Sequence, residues 1–188
     1  MIYKTDLGLY FLLKIWYNAY MIITYFGKQF FKIQKGDLVV AFNPISKDSK
    51  EYKGDRFGSD MALSTTNHPD YNGFEMVSHG ETIPFEIKGP GDYEIKDIFI
   101  KGILTETEID KKKYINTVYT LSIESISLCF LGAINQSKLN SELRSEIGSP
   151  DILFVSLRDG LLSPSDAYKL AISLEPRLII PMDYDDKS

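Results

Sequence analysis

The feature that most constrains the fold is the order of short apolar runs along the chain. Between residues 21 and 131, β-branched, aromatic and aliphatic runs alternate with turn residues such as Gly36 and residues 89–92. Runs bounded in this way are typical of β-strands. Helical spacing comes later, in residues 139–147 and 164–174, and each helix adjoins a buried-type strand. This order predicts a sheet-rich sandwich with helices on its outer faces.

Three stretches give more local predictions. Residues 118–123 and 126–131 flank a short polar turn, which is typical of a β-hairpin. Residues 82–88 alternate between apolar and polar side chains, so a strand is predicted there with its apolar side chains on one face. Residues 106–113 are rich in charges of both signs, and we interpret them as an exposed charged loop.

The composition narrows the class of protein. With 188 residues, 44% of them hydrophobic and 25% charged, the chain can form one globular domain with its own core. The 21 basic and 26 acidic residues give a net charge of −5, and the longest basic run is residues 111–113. Nucleic-acid binding is therefore disfavoured, because a phosphate backbone is bound by clustered Lys and Arg. The single cysteine, Cys129, excludes an intrachain disulfide and a Cys-rich zinc site, and fits a reducing cytoplasm.

The start of the chain raises the question of a membrane segment. Residues 7–26 are apolar and long enough to suggest a spanning helix, but Lys14 lies inside this run. A charge near the middle of a spanning helix costs about 2.5–3.5 kcal/mol, so membrane insertion is disfavoured. Met21 begins a run that is typical of a first strand. We therefore interpret residues 1–20 as an N-terminal extension, either non-native or weakly membrane-associated, and residues 21–188 as the folded domain.

One loop carries the residues best suited to chemistry. A buried-type strand at residues 61–65 leads into a polar loop that contains His68 and, two residues on, Asp70. Imidazole and carboxylate groups are ligands of zinc, manganese and iron, and the end of a strand presents them rigidly. The pair is equally compatible with a structural role, in which His68 forms loop hydrogen bonds and Asp70 forms a turn. Because His68 and His79 are the only histidines, a mechanism that needs three imidazoles is excluded.

Five segments of the chain resemble sequence patterns of one known protein family and occur in the same order as in that family. Residues 60–73 resemble its segment T-H-x-H-x-D-H-x-[GN]. The other four, listed with the family pattern each resembles, are residues 21–44 (the opening hairpin strands), 91–103 (PGEYE…I-x-GI), 116–132 (NT-x-Y…H-L-G-D) and 180–184 (I-P-M-H-Y). Together they resemble the metallo-β-lactamase superfamily, in its bacterial and archaeal branch of L-ascorbate-6-phosphate lactonase-like, Zn-dependent hydrolases. The resemblance implies an α/β fold, a four-layer αββα sandwich in a small version.

The same resemblance implies where metal ligands would stand. His68 matches the second histidine of the motif and Asp70 matches its aspartate. Five further ligand positions carry other residues. The resemblance implies an aspartate at Ala133, and a histidine at Thr66, Tyr71, Thr107 and Asp183. Two of the seven positions are therefore unchanged, and Asp183 offers an oxygen ligand at a third.

These differences predict a hydrolase-like protein that is catalytically inactive or impaired and acts as a binding or assembly module. No cofactor is expected, because a catalytic zinc needs three protein ligands and an open position for water. The alternative is a mononuclear hydrolase of a small ester, lactone or phosphoester. It would hold zinc or manganese through His68, Asp70 and Asp183, with Asp70 as its catalytic residue. A membrane-tethered scaffold is a third hypothesis.

The expected setting is a bacterial cytoplasm. The partner is expected to be a small molecule or a protein, with no nucleic acid and no membrane, and the sequence leaves homo-oligomerisation open.

Overall fold

The structure, a computed structural model, describes residues 2–5, 8–13, 20–158 and 160–184. The chain divides into two compact units, Met1–Lys88 and Gly89–Ser188. Within the described residues, each unit contains one β-sheet, and both α-helices belong to the second unit. The sheet-rich fold with two late helices is therefore as predicted.

The described strands of the first unit form a seven-stranded sheet in chain order. Their bounds are β1 Ile2–Thr5, β2 Gly8–Leu13, β3 Met21–Tyr25, β4 Phe31–Lys35, β5 Leu38–Phe42, β6 Met61–Leu63 and β7 Phe85–Ile87. Strands β1 to β5 pair antiparallel with their neighbours, whereas β6 and β7 are added in parallel. Parallel pairing requires the chain to cross back between strands. The long loops that follow β5 and β6 make these crossings and carry the candidate residues.

The turn between β3 and β4 has an unusual backbone. Gly27 and Lys28 both have positive φ, at +97° and +55°. The Phe30 N–H donates to the Gly27 carbonyl at 2.9 Å and the Phe26 N–H donates to the Phe30 carbonyl at 2.9 Å, which closes the turn. Phe30 then joins a buried apolar cluster with members from β5, β6 and the loops, among them Ala62. This tight turn brings Lys28 next to the core of the first unit.

The second unit contains a six-stranded sheet in the order β13-β12-β11-β10-β9-β8. Its strands are β8 Gly91–Ile95, β9 Ile98–Ile109, β10 Lys112–Ile123, β11 Ile126–Phe130, β12 Ile152–Ser156 and β13 Leu178–Met182. The predicted hairpin is confirmed, since β10 pairs with β11 in a register that sets Ile123 opposite Ile126. Strands β11, β12 and β13 run parallel, joined by the two helical crossings.

The two helices are short and capped by side chains. They are α1 Ser141–Ile147 and α2 Pro164–Ser173. The Asn140 side chain accepts the Leu143 N–H, and the Ser163 side chain accepts the Asp166 N–H. Such N-caps satisfy backbone donors that have no partner inside a helix. Both helices bury one apolar side against a core cluster that they share with residues of β9 to β12.

Two local predictions need correction. The strand predicted over residues 82–88 comprises only β7, because Pro84 has no N–H to donate to a ladder. The prediction of a charged loop at residues 106–113 is wrong, because these residues belong to β9, β10 and the turn between them. The turn residues are Asp110 and Lys111, with φ of +50° and +64°. Positive φ at both central residues is what a two-residue hairpin turn needs. Every second residue in this part of β9 is buried, so the charges lie on one face only.

The start of the chain continues the first sheet, because β1 pairs with β2 and β2 pairs with β3. Lys14 lies outside the described residues. Among the residues that are described, no helix is both long and apolar enough to cross a membrane. The boundary between an extension at residues 1–20 and a domain at residues 21–188 stays a prediction.

Candidate functional site

The segment with His68 and Asp70 begins where β6 ends. All three residues of β6 are buried, and residues 64–73 form the loop that follows. Two backbone hydrogen bonds fold this loop into consecutive turns: the His68 N–H donates to the Thr66 carbonyl at 2.8 Å, and the Tyr71 N–H donates to the His68 carbonyl at 2.8 Å. The candidate residues therefore lie at a strand-to-loop junction, as predicted.

Two contacts fix the loop against the end of β5. The buried Asn43 side chain accepts the Thr65 N–H at 2.7 Å and donates to the Thr65 hydroxyl at 2.9 Å. At the other end, the Gly73 N–H donates to the Pro44 carbonyl at 2.7 Å. A Cβ atom on residue 73 would come within 2.3 Å of the Ser46 nitrogen, so this position accepts only glycine.

Both carboxylate oxygens of Asp70 have partners. The Ser49 hydroxyl donates to Oδ1 at 2.7 Å, and the Lys28 ammonium lies 2.9 Å from Oδ2. The side chains of Lys28 and Asp70 are 1% and 9% exposed, so this ion pair is buried. Removing one member of such a pair would leave the other charge unpaired in surroundings of low dielectric.

The pKa of Asp70 reflects the same partners. Burial acts to raise this pKa, but hydrogen bonds from Ser49 and Lys28, together with the nearby charge of Lys28, outweigh it. The pKa of Asp70 is therefore lowered from its ordinary value of 3.8. At neutral pH the carboxylate is ionised, and the Lys28 ammonium is its countercharge.

His68 uses its Nδ1 atom within the loop. The Asp70 N–H donates to His68 Nδ1 at 3.2 Å, so a neutral imidazole here carries its hydrogen on Nε2. His68 Nδ1 also lies 3.7 Å from Asp70 Oδ2, and the ring centroids of His68 and Tyr71 are 5.9 Å apart. The structure thus brings His68 and Asp70 together as hydrogen-bonded neighbours.

Tyr71 stands where the resemblance implies a histidine, and it is completely buried. A phenol binds a metal as phenolate, and its ordinary pKa is about 10. In this loop the Tyr71 ring instead faces an ammonium group, because Lys28 Nζ lies 5.4 Å from its centroid. The Tyr52 ring lies on the same group, with its centroid 4.4 Å from Lys28 Nζ. Thr66, at the other histidine position of this loop, is also buried.

In the second unit, Thr107 and Ala133 come together. Both are buried, and the Thr107 hydroxyl donates to the Ala133 carbonyl. The buried Asn116 side chain accepts the Ala133 N–H at 2.9 Å and donates to the Thr105 hydroxyl at 2.8 Å and the Leu131 carbonyl at 3.0 Å. All the groups in this network are uncharged.

Asp183 follows β13 in the second unit. Its backbone has a φ of +57°, and the residue is 7% exposed. The Ser156 hydroxyl, at the end of the neighbouring β12, donates to Asp183 Oδ2 at 3.4 Å. The third residue of the predicted metal set therefore lies at the end of a parallel strand and has a hydrogen-bond partner there.

The donor atoms in the described ranges do not fit a catalytic metal centre. No group of three or more His, Cys, Asp or Glu side chains in this part of the chain is arranged to hold a metal ion. The Asp70 carboxylate is bound by an ammonium and a hydroxyl group, and His68 Nδ1 accepts a backbone N–H. A catalytic zinc takes three protein ligands and keeps one position open for water.

Sequence reasoning missed three residues around Asp70, namely Lys28, Ser49 and Tyr52. A lysine after Gly27 in a hairpin turn looks like an exposed residue, and Ser49 and Tyr52 lie in a polar stretch without periodicity. The one available signal is that Lys28 lies between two aromatic pairs in the sequence, at residues 25–26 and 30–31. Lysine is almost never fully buried unless it is paired, and aromatic rings are suitable partners for its ammonium group.

Comparison with known proteins gives one family match and several similar structures. The family described as "Beta-lactamase superfamily domain" matches residues 22–183. A Thermotoga maritima protein, named as a Zn-dependent hydrolase of the metallo-beta-lactamase superfamily, is 27% identical and has a TM-score of 0.72, over 89% of this chain and 77% of that chain. No curated protein sequence matches the chain.

Two further structures share the fold at lower identity. A Parabacteroides distasonis protein, named as a metal-dependent hydrolase, is 14% identical with a TM-score of 0.73, over 96% of this chain and 90% of that chain. A metallo hydrolase from Ignicoccus hospitalis is 17% identical with a TM-score of 0.60, over 88% and 83%. The predicted α/β fold of metallo-β-lactamase type is confirmed, and the chain belongs to the beta-lactamase superfamily domain family.

Proposed function

We propose that this chain is a member of the superfamily that does not carry out metal-dependent hydrolysis and acts as a binding or assembly module. The observation that supports this most directly is the buried pair of Lys28 and Asp70, with 2.9 Å between ammonium and carboxylate. This ammonium already neutralises the acidic residue of the motif. A divalent cation would have to displace a cation that is covalently attached to the chain.

The substitutions at the other positions support the same proposal. In metal-dependent hydrolysis a bound metal lowers the pKa of a water molecule to about 7 and polarises the attacked oxygen. Thr66 offers a hydroxyl group and Ala133 a methyl group where the resemblance implies imidazole and carboxylate ligands. These groups supply neither the negative charge nor the ligand number that such a cation needs.

Hydrolysis assays test the catalytic part of the proposal. Wild-type protein is incubated with zinc, manganese or iron(II) and assayed on 4-nitrophenyl acetate, a simple lactone and bis(4-nitrophenyl) phosphate. We expect rates no higher than those of the His68→Ala variant under the same conditions. His79→Ala is the matched control, because His79 lies outside the loop with Asp70.

Metal-dependent hydrolysis by the wild-type protein would contradict the proposal. A rate that depends on added metal, disappears in His68→Ala and persists in His79→Ala would replace the proposal with the mononuclear hydrolase. In that mechanism His68, Asp70 and Asp183 would be the zinc or manganese ligands.

The binding part of the proposal is supported by exposed apolar side chains near the last strand of the first sheet. Ile83 and Phe85 are 75% and 51% exposed, and Phe85 lies on β7. An exposed edge strand with apolar side chains favours pairing with another chain. The partner we propose is a second copy of this protein.

Sedimentation velocity over a range of protein concentrations tests this assignment. We expect association that weakens in the Ile83→Ser/Phe85→Ser variant and is unchanged in Ile172→Ser, which alters an exposed apolar residue of α2. A wild-type protein that stays monomeric at every concentration would end the homo-oligomer proposal.

The proposal implies a protein that works without a metal or other cofactor in the cytoplasm. The single cysteine supports a reducing compartment, because Cys129 has no second cysteine to pair with. The net charge of −5 supports a partner other than nucleic acid.

A further inference from the structure

Lys28 has an unfavourable backbone conformation and a buried side chain, and both cost free energy. Its φ of +55° lies in the left-handed region, which is unfavourable for residues other than glycine. The Tyr25 hydroxyl donates to the Lys28 carbonyl at 3.1 Å, which helps to fix the turn. The Lys28 side chain is only 1% exposed. A lysine in a hairpin turn normally extends into water, so burial of this one needs a compensating interaction.

The compensation comes from a cage with the chemistry of an ammonium site. Lys28 Nζ lies 2.9 Å from Asp70 Oδ2 and 4.4 Å and 5.4 Å from the ring centroids of Tyr52 and Tyr71. Aromatic ring faces attract organic cations, and one carboxylate balances one positive charge. Ser49 occupies the second oxygen of Asp70 through a hydrogen bond of 2.7 Å.

The same cage is poorly suited to a divalent metal. Zinc binds nitrogen, sulfur and carboxylate oxygen at about 2.0–2.3 Å, and it does not bind the faces of neutral phenol rings. A single carboxylate would leave one positive charge of the metal unbalanced in a buried position. The loop is therefore complementary to a monovalent ammonium ion.

We propose that Asp70, Tyr52 and Tyr71 form a binding site for an alkylammonium ion. In the wild-type protein the Lys28 ammonium occupies this site and is the structural cation of the loop. The inference deepens the proposed function, because it identifies what replaces the metal. It also predicts a binding activity: when the Lys28 side chain is shortened, the cage accepts a free alkylammonium ion and not a divalent metal.

Chemical rescue of Lys28→Ala tests the proposal. The deleted part of the side chain corresponds to n-propylammonium, so this ion is the probe. We expect the melting temperature of Lys28→Ala to fall by about 6–20 °C, as for the loss of one partner of a buried ion pair. We expect n-propylammonium chloride to raise it again with increasing concentration, as a ligand of the folded state does. Zinc chloride and the uncharged 1-propanol should not.

Lys32→Ala is the matched control. Lys32 lies on β4, and its ammonium is 5.3 Å from the centroid of the Phe57 ring. We expect a smaller fall in melting temperature and no response to n-propylammonium beyond that of wild-type protein. A Lys28→Ala variant as stable as Lys32→Ala, or one that n-propylammonium does not stabilise, would overturn the proposal.

A second pair of variants covers the case in which Lys28→Ala does not fold. Lys28→Met leaves Asp70 unpaired, whereas Lys28→Met/Asp70→Asn removes both charges together. We expect the double variant to melt at a higher temperature than Lys28→Met, because the unpaired carboxylate is gone. A double variant that is no more stable than Lys28→Met would contradict the role of Lys28 as the countercharge.

The two proposals fail in distinguishable ways. Metal-dependent hydrolysis by the wild-type protein would overturn the proposed function. A wild-type protein without such activity, combined with a Lys28→Ala variant that keeps its stability and ignores n-propylammonium, would overturn only the cation proposal.

Discussion

Two of the implied ligand positions, Asp70 in the first unit and Ala133 in the second, differ in what holds them. In the first unit Asp70 remains acidic, and the buried Lys28 ammonium lies against it. In the second unit Ala133 stands where an aspartate is implied, and its backbone is held by the uncharged Asn116 and Thr107 side chains. The first arrangement depends on charge compensation, whereas the second depends on neutral hydrogen bonds.

This difference shows which interactions stabilise a former ligand position when the other metal ligands have been substituted. At Asp70 the buried carboxylate is balanced by a positive charge, because an unpaired charge is costly in the interior. A position that has lost its carboxylate needs only partners for its backbone N–H and carbonyl groups. The surroundings of Asp70 should therefore respond to changes of charge, and those of Ala133 to the loss of hydrogen-bond partners.

Asp70→Ala should have the largest effect. The substitution leaves the Lys28 ammonium buried without its carboxylate, so we expect the free energy of unfolding to fall by about 3–5 kcal/mol. Urea denaturation measures the loss. Asp92→Ala is the control, since Asp92 is an exposed residue of β8 and should change the stability little. Equal losses in the two variants would contradict charge compensation at Asp70.

Asn116→Leu should have the next largest effect. It removes the acceptor of the Ala133 N–H and the donor to the Leu131 carbonyl, both of which are buried. A buried polar group without a partner costs about 1–3 kcal/mol, so we expect a total loss of about 2–3 kcal/mol in urea denaturation. A loss below about 0.5 kcal/mol would show that this network does not support the second unit.

The dependence of stability on pH should separate the two regions further. Because the pKa of Asp70 is lowered in the folded protein, its contribution is complete above the ordinary value of 3.8 and is lost as the pH falls through the lower folded value. Asn116 does not titrate. Denaturation between pH 5 and pH 2 should therefore show a shallower acid loss in Asp70→Asn than in wild-type protein, and the wild-type slope in Asn116→Leu. Identical slopes in all three proteins would contradict the assignment.

The smallest effect is expected at the surface. Lys101 and Glu146 form an ion pair of 3.0 Å with side chains 37% and 35% exposed. Exposed pairs of this kind contribute about 0–1 kcal/mol and weaken with salt. We expect Glu146→Gln to remain within that range in urea denaturation. A loss as large as that of Asp70→Ala would remove the contrast between buried and exposed pairs.

The hairpin of the second unit could be predicted from the sequence because it depends on local patterns. The hairpin of β10 and β11 has alternating apolar residues on both sides of a short turn, and its register is as expected. The turn at Asp110 and Lys111 was missed, since neither residue is a glycine or an asparagine and charges conceal the alternation. Positive φ at such residues is imposed by the pairing of two long strands.

The candidate site could be predicted only in part. The neighbours His68 and Asp70 lie two residues apart, so their contact within one loop follows from sequence proximity. The contact of Lys28 with Asp70 joins distant parts of the first unit, and it depends on the turn at Gly27 and the crossing after β5. Local patterns carry no information on such a tertiary pairing.

Anomalous diffraction from crystals grown with excess zinc tests the central claim most directly. We predict no zinc peak within bonding distance of Asp70, and a Lys28 ammonium still in contact with Oδ2 at about the 2.9 Å of the present structure. A fully occupied zinc ion bonded to His68 and Asp70, with Lys28 turned away from the carboxylate, would contradict it.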